Sequence, residues 1–474
     1  MVFSSLTFLF FFLPLSLLLY YVSPKKMRNI VLLCVSLVFY AWGEPVYILL
    51  MLFSAFTDYI HGLVIYKYRN KQPLKAKVAL ISSIVINIGI LMFFKYADFL
   101  VINLNQFFGT EIALLSLPLP IGLSFYTFQT MSYSIDVYRG QVLPQKSPIA
   151  LAMYVCLFPQ LIAGPIVRYK SIANELHHRT WNSAQFVEGI NYFSIGLGKK
   201  VLLANNIGLL WSNIQSQQTS ELTVFAAWLG IIAFAFQIYF DFSGYSDMAM
   251  GLGKMFGFNF PRNFHYPYIA RSVTEFWRRW HISLGTWFRD YLYIPLGGSK
   301  SGKYITIRNL FIVWGLTGLW HGASWNFIIW GLYFGLIIAI EKAGWLKIME
   351  RWNPILQHMY LILIILVGWV LFVFEDYMQG IAYLKIMFGF TSNHLMDAQF
   401  LYDLYTHSIL LVILIIAATP VMITIRKSSE KWINKRAFNF TITAILLVYY
   451  QLILLLSIAY LVDESFNPFL YFRF

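Results

Sequence analysis

The sequence predicts an all-α protein that is integral to a membrane. Of its 474 residues, 59% are hydrophobic and only 12% are charged, and the mean hydropathy is +0.64. These values exclude an ordinary soluble globule. The formal net charge of +14 comes from basic residues that gather in short loops between apolar runs. That distribution orients membrane helices, and it favours membrane lipids over nucleic acid as the partner of the basic surface.

The first spans can be oriented from the charges that flank them. Residues 1–22 are long enough to cross a bilayer, and they lack the basic start and the small-residue cleavage site of a secretory signal. Basic residues at 25–28 follow, which predicts that this end faces the cytoplasm and that the N-terminus is extracytoplasmic. The runs 29–42 and 45–66 form a pair of helices, and the basic loop 67–77 is again predicted to be cytoplasmic.

Further apolar stretches indicate a polytopic fold. They lie at 78–98, 120–137, 147–166, 185–204, 222–256, 305–341, 356–375, 380–391, 406–425 and 438–462. Because a span needs roughly twenty residues, we expect about eleven to thirteen membrane helices, some of them short or re-entrant. No internal repeat or linker interrupts the sequence, so residues 1–474 are predicted to form a single polytopic membrane domain. Basic residues between 426 and 436 orient the last span outward, so the tail 463–474 is predicted to be extracytoplasmic.

Two histidines stand where hydrophobic sorting alone would not place an ionisable side chain. His321 lies in the apolar run "GLTGLWHGASWNFIIWG" and His281 in "FWRRWHISLG". An ionisable group within a membrane is costly and is functional by default, and neutral imidazole is the usual general base for a hydroxyl. A hydrogen-bonded structural histidine is the alternative for both. No further ligand recurs at metal-binding spacing around either residue, so no metal site is expected.

Six stretches resemble the membrane-bound O-acyltransferase superfamily, in the branch of the alginate O-acetylation membrane protein. They are "MVFSS" at the start, "LPIGLSFYTFQTMSYSIDVYRG" (119–140), "FPQLIAGPIVRY" (158–169), "QIYFDFSGYSDMAMGLG" (237–253), "FWRRWHISLGTWFRDYLYIPLGG" (276–298) and "GLWHGASWNFIIWG" (318–331). The membrane component of teichoic-acid D-alanylation is a more distant resemblance. Several of these stretches are long and rich in Trp, Arg and Gly.

The resemblance implies a ring of helices around a thinned centre, with a cytoplasmic pocket for an acyl thioester and an outer funnel that meets it. It implies that His321 is the catalytic histidine and that His281 is the second histidine of the family. Acetyl-CoA is the implied acyl donor, with a carrier-protein thioester as the alternative.

The donor is expected to contact a group of residues around the second histidine. They are Arg278, Arg279 and Arg289, with Trp280 and Asn326. Guanidinium groups bind phosphate bidentately, which suits the phosphates of coenzyme A or of phosphopantetheine. In the alternative interpretation the arginines reach lipid headgroups and pair with Glu275 and Asp290.

The C-terminal sequence "FLYFRF" contains a tyrosine, Tyr471, in an FxYxxF pattern. The resemblance implies that this tyrosine accepts the acyl group and passes it to a serine of an extracytoplasmic partner of the SGNH type, which modifies a cell-surface polysaccharide. An aromatic anchor in the membrane interface is the simpler interpretation of the same residues. Two other functions are left open at this point: D-alanyl transfer to teichoic acid, and polysaccharide transport.

Overall fold

The computed structural model describes residues 1–179, 182–300, 302–421, 424 and 435–463, with the backbone alone for 435–444. Every regular element within these ranges is helical, as the sequence predicted. Seven helices of the described residues are long and apolar enough to cross a membrane: Ile48–Tyr68, Pro73–Phe108, Val224–Met255, Trp325–Met349, Pro354–Val373, Ala398–Ala417 and Ile445–Asp463. The protein is therefore a multi-pass membrane protein.

Shorter helices complete the described part of the chain. The α-helices are Leu13–Val22, Arg28–Ala41, Leu123–Arg139, Pro148–Cys156, Phe158–Leu161, Tyr169–Ile172, Ser183–Gly198, Asn206–Gln215, Val273–Arg279, Ile282–Phe288, Lys303–His321 and Tyr377–Met387. Stretches of π-helix occur at Phe8–Phe12, Met92–Tyr96, Lys199–Asn205, Arg289–Tyr293 and Glu341–Trp345, and 3₁₀ turns at Lys25–Met27 and Pro267–Ile269. The predicted apolar run at 120–137 forms one helix of 17 residues that begins after Gly122, and the run at 147–166 is divided into two short helices.

The described residues form two compact units. The first contains Met1–Phe193 and Tyr245–Arg262, and the second contains Ser194–Gly244 and the described part of Asn263–Phe474. The predicted tail 463–474 lies outside the described residues apart from its first residue, so its placement, and the single domain over 1–474, stay predictions.

A buried carboxylate organises the helices of the first unit. Asp58, in the middle of helix Ile48–Tyr68, is 0% exposed. It accepts hydrogen bonds from Ser83 Oγ at 2.5 Å, Asn87 Nδ2 at 2.7 Å and Ser134 Oγ at 3.0 Å. These donors come from two of the helices that pack on its own helix, Pro73–Leu91 and Leu123–Arg139, so one side chain connects all three. Such a network stabilises only when every member is satisfied.

Replacing Asp58 with Ala should destabilise the first unit. The substitution leaves the hydroxyls of Ser83 and Ser134 without this acceptor and removes one of the two acceptors of Asn87 Nδ2, and each buried group left unsatisfied costs about 1–3 kcal/mol. We expect the free energy of unfolding, measured by denaturant titration in detergent micelles, to fall by at least about 2 kcal/mol. Glu111→Ala removes an exposed carboxylate from the same unit and should change it by less than about 0.5 kcal/mol. Equal effects of the two substitutions would contradict the role given to Asp58.

Candidate active site

A cavity of about 580 Å³ lies within the second unit, and both predicted histidines line it. Its walls come from helices Val273–Arg279, Ile282–Phe288 and Lys303–His321 and from the end of Trp325–Ile340. The volume falls in the range of roughly 300–1,000 Å³ that is usual for small-molecule sites. Aromatic side chains, two histidines and three cations share this lining, so the cavity is the candidate active site.

One face of helix Lys303–His321 forms the long wall of the cavity. The lining residues of this helix are Leu310, Val313, Trp314, Thr317 and His321. Successive members are separated by one, three or four positions, which places all five on one face. At a rise of 1.5 Å per residue, the wall from the first to the last is about 16 Å long. His321 therefore lies at one end of an elongated space.

His321 occupies the last position of its helix and is 8% exposed. The helix stops there because Gly322 adopts an extended backbone, with φ −165° and ψ 155°. The rings of Trp320 and Trp330 lie 5.0 Å from the imidazole, and the ring of Phe372 lies at 5.4 Å. His321 therefore ends its helix inside a cluster of aromatic rings.

Two glycines let helix Lys303–His321 and helix Trp325–Ile340 pack in close contact. A Cβ atom built on Gly318 would lie 2.3 Å from the carbonyl oxygen of Phe327, and one built on Gly331 would lie 2.3 Å from that of Trp314. Small residues at membrane helix interfaces allow this close approach of backbones. The two helices form a hairpin, called the 303–340 hairpin below, with His321 next to its turn.

His281 sits in a break between helices Val273–Arg279 and Ile282–Phe288. Its backbone is left-handed, with φ 45°, and its side chain is 2% exposed. Nδ1 lies 3.1 Å from Asn263 Oδ1, and the Phe242 ring packs edge-on at 4.8 Å. Burial lowers the pKa of the imidazole to about 3, so His281 is neutral near pH 7.

The predicted donor-binding residues separate into two groups. Arg278, Arg289 and Trp280 line the cavity. Arg279 is not part of the lining, and its guanidinium pairs with Glu275 at 2.7 Å. Asn326 is likewise outside the lining, buried at 2% exposure, and donates a hydrogen bond to the carbonyl of Phe372 at 3.3 Å.

Asp290 holds one of the two lining arginines. Its carboxylate lies 2.8 Å from Arg289 Nε, and the Arg289 side chain remains 60% exposed. This pair matches one part of the alternative interpretation of the arginines, but the Arg289 side chain is still largely exposed. Arg289 can therefore keep its partner and still contact an anion in the cavity.

Two residues of the site have no clear signal in the sequence. Lys342 adds a third cation to the lining, where its ammonium lies 5.3 Å from the centre of the Tyr293 ring. Glu341, 1% exposed, accepts the backbone N–H groups of Val273 at 2.8 Å and Thr274 at 2.7 Å. It thereby caps the helix that carries Arg278. Neither residue could be singled out from the sequence, because a lone Glu-Lys pair at the end of an apolar run resembles an ordinary helix flank.

A metal centre is not apparent in the described ranges, where no three His, Cys, Asp or Glu side chains come close enough to hold an ion.

Comparison with known proteins relates this site to a family. The model of the membrane-bound O-acyltransferase family matches residues 141–374. The chain is 41% identical to a probable alginate O-acetylase AlgI of Azotobacter vinelandii over the whole of both chains, and 45% identical to that of Pseudomonas aeruginosa over 82% of this chain and 75% of the relative. It is 36% identical to a peptidoglycan O-acetyltransferase of Helicobacter pylori over 72% of this chain and 71% of the relative.

The chain belongs to the membrane-bound O-acyltransferase family. It is accordingly an O-acyltransferase, and the predicted resemblance is confirmed. The whole cavity lining, from Thr274 to Lys342, falls within the residues that match the family model. Tyr471 lies outside the described residues, so its role stays a prediction.

Adding one methyl group between the helices of the 303–340 hairpin should disturb this O-acyltransferase. In Gly331→Ala the new Cβ meets backbone atoms that cannot rotate away, and overpacking typically costs about 1–3 kcal/mol of stability. The shift also moves His321, and misplacement by an ångström can reduce turnover about a hundred-fold. Acyl transfer and thermal unfolding of the purified variant measure both effects.

Gly315→Ala is the matched control for this prediction. The same methyl group on the same hairpin would there meet only Leu332 Cδ2, at 3.9 Å. We expect this variant to keep wild-type stability and turnover. If Gly331→Ala behaves like Gly315→Ala, the close approach of the two helices does not position His321.

Proposed function

We propose that the protein transfers an acetyl group from a cytoplasmic thioester donor, across the cell membrane, for O-acetylation of a cell-surface or secreted polysaccharide. The names of its relatives support the acetyl group and the acceptor class, because alginate and peptidoglycan are both glycan polymers. The observation that carries the proposal is the cavity that joins three cations to two histidines. Such a cavity suits a substrate that is anionic at one end and reactive at the other.

The cations of the cavity are proposed to bind the phosphates of acetyl-CoA, or of a phosphopantetheine-carrying protein. Arg278, Arg289 and Lys342 all belong to the lining, and charged donors bind phosphate more strongly than neutral ones. The basic flanks of the hairpin support the cytoplasmic assignment. Lys303 begins its first helix, and Lys347 follows the second helix, near the end of the membrane segment Trp325–Met349. Basic ends on both helices are typical of the cytoplasmic side.

His321 is proposed to act as the general base. It takes the proton of an incoming hydroxyl while that oxygen attacks the carbonyl carbon of the thioester. The C–O bond forms, the C–S bond breaks, and the imidazolium returns the proton to the departing thiolate. A tyrosine hydroxyl, with a reference pKa of about 10, needs such a base near pH 7.

Tyr471 is the proposed acceptor of the acetyl group, and a partner is proposed to finish the transfer. The charge pattern of the sequence supports extracytoplasmic N- and C-termini, which would put Tyr471 on the side of the polysaccharide. An acetyl-tyrosine ester could then pass its group to the serine of an SGNH-type acetyltransferase. No metal takes part in this scheme.

Membranes incubated with acetyl-labelled acetyl-CoA test the reaction. We expect label on Tyr471, found by mass spectrometry of the C-terminal peptide, and none on the Tyr471→Phe variant. His321→Ala should reduce labelling at least about a hundred-fold, because positioned proton transfer contributes that much. Normal labelling of His321→Ala would contradict the base assignment, and an active protein with an unlabelled tail would contradict the relay.

The cations of the cavity can be tested through donor affinity. Arg278→Ala and Lys342→Ala should each raise KM for acetyl-CoA about ten-fold or more, because each removes a charge-assisted hydrogen bond worth about 1.5–3 kcal/mol. Arg279→Ala removes the same charge from the neighbouring position, outside the lining, and should change KM less than about two-fold. A larger effect at Arg279 than at Arg278 would show that the phosphates bind elsewhere.

A further inference from the structure

We propose that Asn263 is a positioning residue, which holds His281 so that the Nε2 lone pair accepts a hydrogen bond from an N–H or O–H group of a substrate in the cavity. The identity of that substrate rests on the function proposed above. The contacts between Asn263 and His281 do not depend on that proposed function.

A single oxygen atom of Asn263 gathers three contacts. Asn263 is 1% exposed, and its Oδ1 lies 3.1 Å from His281 Nδ1. The same oxygen accepts the backbone N–H of Ser283 at 3.2 Å and the Ser283 hydroxyl at 2.9 Å. The backbone carbonyl of Asn263 accepts the N–H of Ile282 at 2.9 Å. Asn263 therefore caps the first turn of helix Ile282–Phe288 as well as contacting the histidine.

These contacts fix the orientation of the amide. A backbone N–H can only donate, so the atom of Asn263 that faces the Ser283 N–H must be the oxygen and not the nitrogen. The oxygen of a primary amide can only accept. His281 Nδ1, which meets that same oxygen, must therefore carry the proton.

The proton on Nδ1 determines what the other nitrogen of the ring can do. In a neutral imidazole with Nδ1 protonated, Nε2 has a free lone pair and can only accept. Nε2 of His281 is buried and makes no hydrogen bond to any residue that the structure describes. His281 lines the cavity that also contains His321. A buried acceptor in that position is expected to meet a donor group when the cavity is filled.

The backbone conformation of His281 also indicates that its surroundings hold the residue in place. A non-glycine residue at φ 45° is uncommon and persists only where its surroundings hold it. Asn263 holds this turn from two sides, with its carbonyl on Ile282 and its side chain on His281 and Ser283. The turn places the imidazole against the cavity instead of continuing the preceding helix.

The two histidines then have different tasks. His281 stays neutral over the physiological range because it is buried, so it accepts a hydrogen bond and does not retain a proton. His321 is left as the group that takes the proton in the proposed reaction. The partner of His281 is either an amide N–H of the pantetheine arm of the donor or the hydroxyl of an acceptor.

Nitrogen NMR of the full-length protein, labelled with ¹⁵N-histidine in detergent micelles or bilayers, tests the first step without any substrate. Signals of His281 are assigned by their loss in His281→Ala. We expect the wild-type Nδ1 to be protonated and Nε2 to be unprotonated near pH 7. The opposite tautomer, or a mixture of the two, would overturn the proposal.

Two variants then separate positioning from general structural support. Asn263→Leu removes the acceptor and should release the tautomer, whereas Ser283→Ala keeps the backbone N–H on the same oxygen and should leave the tautomer unchanged. We expect Asn263→Leu to lower kcat/KM about ten- to hundred-fold. In a His281→Ala background the same substitution should have little further effect, because it acts through His281. Equal losses in both backgrounds would overturn the proposal.

The kinetic constants of Asn263→Leu distinguish the two possible substrate groups. A rise in KM for acetyl-CoA with little change in kcat assigns the contact to the donor, and a fall in kcat at constant KM assigns it to the acceptor hydroxyl. No change in either constant would overturn the proposal. If the wild-type protein does not consume acetyl-CoA while the NMR result is as expected, the proposed function fails and the arrangement of Asn263 and His281 stands.

Discussion

The contact between the two helices of the 303–340 hairpin is the constraint on which the site depends. Gly318 and Gly331 remove the side chains that would separate the helices, so backbone meets backbone. The first helix can then end at His321 with its imidazole among aromatic rings and in the wall of the cavity. Lipid offers no hydrophobic force to hold two apolar helices together, so such packing has to supply the attraction itself.

The rest of the cavity is assembled onto this hairpin by polar contacts. Glu341 directly follows the second helix and caps the helix that carries Arg278. It thereby connects that helix to the hairpin. Asn263 plays the corresponding part for His281. Both residues are buried and both satisfy backbone N–H groups at helix starts. In a low-dielectric interior such groups need partners, and here the partners also orient the reactive side chains.

Hydropathy and charge were enough to predict the all-α membrane class, and the motifs were enough to predict the family. The sequence could not show which neighbours share a wall. Arg278 and Arg279 are adjacent, but one residue turns a helix by about 100°, so only Arg278 lines the cavity. The role of Asn263 depends on a left-handed turn at His281 that no local pattern announces. Tyr471 lies outside the described residues, and its relay role remains a prediction from the sequence.

The central claim is that one cavity holds both the anionic and the reactive end of the acyl donor. A structure of the protein with a non-hydrolysable acetyl-CoA analogue, determined by electron cryomicroscopy, tests it most directly. The account predicts density with the acyl carbonyl beside the His321 imidazole and the phosphates beside Arg278 and Lys342. An analogue bound elsewhere, or a cavity without density at a saturating concentration, would contradict it.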